Sequence, residues 1–157
     1  SEEPTYIRLT GAMNTPVVYK EDYDFEIGKS IELISGNEVC MVATGSMVYE
    51  SLEAAKLLNE KGISCSVINM HTIKPLDLEM LVKVIHSHKL IVTVEEHSEV
   101  GGLGGAVAEY MVAHHFDVRL EIIGIKDFFP HAGDYRYQLE QSGLTAFQIC
   151  ERIEKLL

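Results

Sequence analysis

Four glycines, Gly101, Gly102, Gly104 and Gly105, follow the carboxylates Glu95, Glu96 and Glu99, where the apolar run Ile91-Val92-Thr93-Val94 gives way to a helical pattern. A glycine-rich turn between strand and helix aims backbone N–H groups at a helix N-terminus, the arrangement that binds phosphate in many nucleotide sites. The same turn also serves where two pieces of protein must approach closely, because glycine carries no Cβ. Spacing and charge favour close packing. The Lys-Ser/Thr ending of a P-loop is absent. If Gly102 and Gly104 are the first two glycines of a dinucleotide fingerprint, the third position falls on Val107. The three glutamates put negative charge where an anion would sit. The helix dipole still attracts anions weakly, so a nucleotide pocket stays open as the second reading.

Other candidates carry less. Thr44-Gly45-Ser46 sits at a second strand-to-helix turn, where it either cradles a phosphate or simply caps a helix, the commoner role. His97, beside Glu95 and Glu96, has the makings of a proton-transfer pair, set against an ordinary polar loop at a sheet edge. His86 and His88, and the adjacent His114 and His115, have spacings that point them to different sides of a helix, which argues against a metal site. No G-x-S-x-G elbow is present to suggest a serine hydrolase. Phe128 and Phe129 lie in the loop Lys126 to Gly133; exposed, they would mark an interface, and buried, they would close the core.

The elements that would position these residues follow a regular rhythm. Ser30 to Ile34 reads as a short edge strand, and Val39 to Ala43 as a buried one. A helix follows with Val48, Leu52, Ala55 and Leu58 inward, Ser46 as its cap and Gly62 as its stop. Ile63 to Asn69 is the next strand. Pro75 and Asp77 open a helix with Leu78, Leu81, Val82 and Ile85 inward. Leu90 to Val94 is a third core strand. It is followed by a helix from Gly102 to His115 with Leu103, Val107, Tyr110 and Met111 inward. Arg119 to Gly124 is the last strand, Tyr135 to Ser142 a short helix, and Thr145 caps a final helix bearing Ala146, Ile149, Ile153 and Leu156. Apolar strands alternating with amphipathic helices require crossovers. The expected fold class is therefore α/β: a three-layer α/β/α domain with a mostly parallel five-stranded sheet and room for one antiparallel edge strand.

Composition fits one domain. The chain has 157 residues, 46% of them hydrophobic, which suffices for a normal core. The net charge of −11, from scattered acidic residues, argues against a nucleic-acid partner. No apolar run is long enough for a membrane span. Cys40, Cys65 and Cys150 are far apart, and the first two lie within apolar runs, a pattern that suits core thiols and a cytoplasmic location. Pro4 to Leu9 reads as a lone strand, which cannot persist without a sheet to join. Gly11, Asn14, Pro16 and the acidic Glu21 to Asp24 then read as a linker. Residues 1–27 are accordingly expected to be the end of a preceding domain plus a linker, and 28–157 the α/β domain.

The chain resembles the C-terminal domain of transketolase-like thiamine diphosphate enzymes. The resemblance rests on Val42-Ala43-Thr44-Gly45-Ser46 with Glu53-Ala54-Ala55-Lys56-Leu57-Leu58, and on Ile73-Lys74-Pro75-Leu76-Asp77. It rests also on Thr93-Val94-Glu95-Glu96-His97 followed by Gly101-Gly102-Leu103-Gly104. The opening Tyr6-Ile7-Arg8-Leu9 is similar to the end of that family's pyrimidine-binding domain. The Glu-Glu-His-Ser turn leans toward transketolase. The β subunits of 2-oxoacid dehydrogenases and deoxyxylulose phosphate synthase share much of the pattern, with Glu-Glu-Gly commoner at that turn. In the family, thiamine diphosphate and its divalent cation (Mg or Ca) are held by a Gly-Asp-Gly…Asn motif in the first domain, and the activating glutamate lies in the second.

The resemblance therefore implies a structural and dimerisation domain with no catalytic, cofactor-binding or metal-binding residue of its own. Its partners would be the remaining domains or subunit of a homodimeric enzyme. It further implies that Arg8, which matches a family arginine, contacts the phosphate of sugar-phosphate substrates in the complete enzyme. A guanidinium fork suits a phosphate well. A stand-alone nucleotide- or anion-binding module, or a pure interaction domain, are the readings of another class.

Overall fold

Short apolar runs separated by amphipathic stretches assemble here into one five-stranded sheet with helices on both faces. The computed structural model describes residues 4–9 and 16–157. The strands are β1 (Ile31–Ile34), β2 (Val39–Ala43), β3 (Cys65–Asn69), β4 (Leu90–Ser98) and β5 (Arg119–Ile125). The helices are α1 (Met47–Glu60), α2 (Leu78–Ser87), α3 (Leu103–Ala113), α4 (Tyr135–Ser142) and α5 (Ala146–Glu154). Strand order is β1-β3-β2-β4-β5; β1 runs antiparallel to β3 and the other pairs are parallel. The expected mixed sheet is present, with its antiparallel strand at the edge.

Alternation along the strands sorts the core into two layers. Val39, Met41 and Ala43 of β2, with Leu90, Val92 and Val94 of β4, face α1, α4 and α5. Cys40, Val42 and Ile91 face the other way, onto α2 and α3. The chain passes from β2 to β3 through α1 on one face, then crosses back over β2 to β4 through α2 on the other. That reversal is what right-handed crossovers demand when the direction of travel changes. It leaves a crevice between the carboxyl ends of β2 and β4, the place where open α/β sheets take their ligands.

Helix boundaries follow local chemistry. Gly62 stops α1 at a positive φ of 81°, with Ile63 N–H returning to the Leu58 carbonyl. Thr145 and Gln148 form a capping box at α5. Asp77 caps α2 by accepting from Met80 N–H, and its other oxygen accepts from the N–H and hydroxyl of Ser30, so one carboxylate fastens the helix to the start of the sheet. Burial alone would raise the pKa of Asp77. The hydrogen bonds from Met80 and Ser30 outweigh that and hold it below the ordinary 3.8. A depressed folded pKa means that this stability is fully present above the unfolded value and is lost as pH falls through the folded one. Asp77→Asn is expected to lower stability near neutral pH by about 1 kcal/mol and to flatten the acid limb below the ordinary carboxylate range. Urea titrations of both proteins across the acid range check this; parallel acid limbs would contradict it.

Residues 4–9 are exposed and in no strand, as is expected of a strand segment without a sheet to join among the described residues. Of the expected linker, Gly11 and Asn14 lie outside the described residues. Two expectations need correction. Leu78 is 44% exposed and Val82 only half-buried, and helical spacing puts the buried stripe at Leu81, Val84 and Ile85 instead. β4 also runs on to Ser98, past Val94. Its pairing with β5 shifts between Val94 and Ser98, where Ser98 meets Ile125, so Glu95, Glu96 and His97 lie in an irregular extension of the strand. No described helix is long and apolar enough to cross a membrane.

Candidate functional site

Because β4 continues through the glutamates, its period-two alternation sends the two carboxylates to opposite faces. Glu95 follows Ile91 and Thr93 toward the layer of α2 and α3, and Glu96 follows Val92 and Val94 toward α1 and α4. This one feature decides what each can do.

Glu95 is 1% exposed, and its carboxylate accepts from the N–H groups of Leu103 and Gly104 at 2.8 Å each. These belong to the first turn of α3, whose cap residue Gly102 has no side chain to offer. A glutamate on the preceding strand thus caps the helix, in the location that the macrodipole favours for negative charge. The glycines explain themselves in this setting. A Cβ on Gly102 would lie 2.0 Å from Glu95 Oε2, and one on Gly104 would lie 2.5 Å from Ile122 Cγ2. The place a phosphate would take is filled by the chain's own carboxylate, and the turn does not fit a nucleotide or a diphosphate. Close packing is the correct reading of the turn.

Glu96 reaches the opposite layer. Its Oε2 accepts from the Ser46 hydroxyl and, at 2.8 Å, from the Tyr135 hydroxyl. Ser46 is therefore not the side-chain cap of α1. It has helical φ and ψ, its hydroxyl is turned to Glu96, and the first turn of α1 is closed instead by Met47 N–H to Thr44 O and Val48 N–H to Gly45 O. Burial first, then the hydrogen bond to Glu96, push the Tyr135 phenol up to about 12. The hydroxyl keeps its proton at any ordinary pH.

Arg8 arrives at this point from the N-terminal segment. Its Nη2 donates to the Glu96 backbone carbonyl at 3.2 Å. Arg8 and Leu9, with Val18, Gly45, Ser46 and Tyr49, line a cleft of about 180 Å³. The cleft opens at the carboxyl ends of the strands, beside the crevice where the chain reverses direction. Arg8 and the Gly45-Ser46 part of the Thr44-Gly45-Ser46 turn, far apart in the sequence, thus meet at one site.

The remaining candidates are dispersed. His97 is exposed, and its Nδ1 lies 3.0 Å from the Ser98 carbonyl, while both neighbouring carboxylates are engaged elsewhere, so no proton-transfer pair forms. His88 is structural, bridging Ser66 Oγ and the Val84 carbonyl at 2.9 Å each. Among the described residues, no group of three or more His, Cys, Asp or Glu could hold a metal ion. Cys40, Cys65 and Cys150 are free and buried, and burial raises all three thiol pKa values, Cys65 to about 12. Phe128 is 43% exposed and Phe129 fully so.

Two residues at the site escaped sequence reasoning. Tyr135 does so because its partner is 39 positions away. Glu50, buried on α1, accepts from Ala146 N–H at 2.6 Å and lies 3.7 Å from Arg136 Nη1. It ties the starts of α4 and α5 to α1, and no local pattern marks it.

Comparison with known proteins places this architecture. A model of the family described as "Transketolase, C-terminal domain" matches residues 28–149. The putative transketolase C-terminal section of Methanocaldococcus jannaschii is 41% identical over 152 residues, covering 96% of this chain and 47% of that protein. A subunit of the apulose-4-phosphate transketolase of Actinobacillus succinogenes is 38% identical over 149 residues, covering 94% and 48%. Among solved structures, a split gene transketolase in the form of an inactive beta4 tetramer superposes with a TM-score of 0.84 at 38% identity, covering 90% of this chain and 46% of that one. The chain spans about half the length of these relatives. With the family model matched across most of its length and the sheet and helices reproduced in the solved relative, the chain belongs to the transketolase C-terminal domain family.

Proposed function

We propose that this chain is the C-terminal part of a thiamine diphosphate-dependent transketolase, which moves two-carbon ketol groups between sugar phosphates in the cytoplasm. It acts only with the remaining domains, on the same polypeptide or on a separate one, in a homodimeric assembly. The other part supplies the cofactor, its divalent cation (Mg or Ca) and the reacting centre. This chain supplies no catalytic residue. It supplies packing surface, and Arg8 binds the substrate phosphate.

The observation that carries this reading is the end-to-end similarity to transketolase sections and subunits about twice as long. Two features of the molecule support it. Glu95 fills the helix terminus that a phosphate-binding domain would leave open. Phe129, Tyr6, Ile7 and Leu9 are largely exposed, which suits a chain with further protein packed beside it. The solved relative, a beta4 tetramer of a split gene transketolase, is described as inactive, as a chain of this kind would be by itself.

The test is reconstitution. The chain mixed with a polypeptide carrying the cofactor-binding half is expected to transfer ketol groups between sugar phosphates, and neither component alone to do so. Activity of this chain by itself would overturn the proposal.

A further inference from the structure

We infer that Glu96 is a positioning residue for Arg8: fastened by Ser46 and Tyr135, it holds its own backbone carbonyl where the guanidinium is steadied over the cleft. The inference rests on the reading of Arg8 as the phosphate contact and names what aims it.

The segment from residue 4 to 9 is exposed and belongs to no strand of the described sheet, so that sheet's ladder does not orient Arg8 against the α/β body. Its guanidinium meets that body at the Glu96 carbonyl, at 3.2 Å. A guanidinium has five N–H donors, so one bond to a neutral carbonyl fixes its direction without using up the fork or its charge. A carboxylate in place of that carbonyl would neutralise the arginine and compete with phosphate. Here the acidic end of the same residue is turned away into the layer of α1 and α4.

The carbonyl in turn needs fixing, because Glu96 lies where the β4–β5 register shifts and a regular ladder no longer dictates its direction. The side chain provides it. Glu96 Oε2 accepts two hydroxyl hydrogens, one from Ser46 before α1 and one from Tyr135 at the start of α4. The residue is therefore pinned between two helices that are themselves seated on the core through Met47, Val48 and Leu139. The hydroxyl of Tyr135, which is not part of the cleft lining, would then act on the substrate phosphate through Glu96 and Arg8.

The experiment is steady-state kinetics of the complete enzyme carrying Tyr135→Phe, Ser46→Ala, Arg8→Ala, and Tyr135→Phe combined with Arg8→Ala. Each hydroxyl deletion is expected to raise KM for a phosphorylated sugar by about 3- to 10-fold, the weight of one hydrogen bond. Tyr135→Phe, whose side chain is not part of the cleft lining, should leave kcat within about twofold and KM for an unphosphorylated ketose unchanged. In the Arg8→Ala background, Tyr135→Phe is expected to add nothing, since its effect passes through Arg8. Wild-type KM in both hydroxyl variants, equal loss on both substrate types, or a further loss in the Arg8→Ala background would each overturn the positioning role. Should Arg8→Ala show no preference for phosphorylated substrates, the reading of Arg8 falls and this inference with it. If Tyr135→Phe melts early, Ser46→Ala decides the matter.

Discussion

Gly102→Ala will lower the stability of this chain by about 3 kcal/mol, while Gly105→Ala, three residues on, will leave it level or raise it by roughly 0.5 kcal/mol. The new Cβ at Gly102 would sit 2.0 Å from Glu95 Oε2 and 2.7 Å from Cδ. A glutamate tip on the surface would swing away cheaply. This one is 1% exposed and bound to two N–H groups, so moving it leaves a carboxylate and two helix-terminal donors buried without partners. At Gly105 a Cβ would meet nothing within 4 Å, and alanine favours the helix. Thermal melts should show Gly102→Ala some 6–12 °C below wild type, on the scale of about 2–4 °C per kcal/mol for a domain of this size. Equal melting temperatures for the two variants would show that the glycines share one role, contrary to the packing argument.

The second large effect concerns substrate. In the complete enzyme, Arg8→Ala is expected to lower kcat/KM for phosphorylated substrates by roughly 10- to 100-fold, the loss of a charge-assisted contact worth about 1.5–3 kcal/mol. Unphosphorylated substrates should be largely spared. Arg8→Lys should recover part of the loss through its charge but not all of it, because an ammonium cannot offer two parallel N–H bonds to a phosphate. Arg8 is exposed, and what ties it to the described domain is a hydrogen bond to the Glu96 carbonyl at the rim of the cleft, so little of the fold depends on it. Equal loss on both substrate types would contradict the assignment.

Much of the fold was legible because its signals are local. The stripe Val48, Leu52, Ala55 and Leu58 marks α1 by spacing alone, and all four pack against the core, Leu52 partly exposed. Asp77 and Thr145 mark the starts of α2 and α5 by residue type, and both cap as their chemistry dictates. The site was legible only in pieces. The carboxylate pair was visible, but a strand ending at Val94 left no way to say where either one points. Extending β4 through Ser98 turns adjacency into opposition, with Glu95 inward to α3 and Glu96 toward Ser46 and Tyr135. The extension depends on Ser98 pairing with Ile125 across an irregular register, a choice made by tertiary packing rather than propensity. Ser46 misled for a related reason. Serine before a helix is a good cap in isolation, yet a carboxylate acceptor 50 residues away competes for its hydroxyl and wins.

The glycine turn has the outline of a phosphate cradle, and Glu95 closes it. On the proposed function, cofactor recognition falls to the other part of the enzyme and phosphate recognition to Arg8. Isothermal calorimetry of thiamine diphosphate with magnesium, titrated into this chain alone and into its mixture with the cofactor-binding half, tests that claim most directly. The expected result is no micromolar binding to the chain alone and saturable binding to the mixture. Micromolar binding to the chain alone would contradict it.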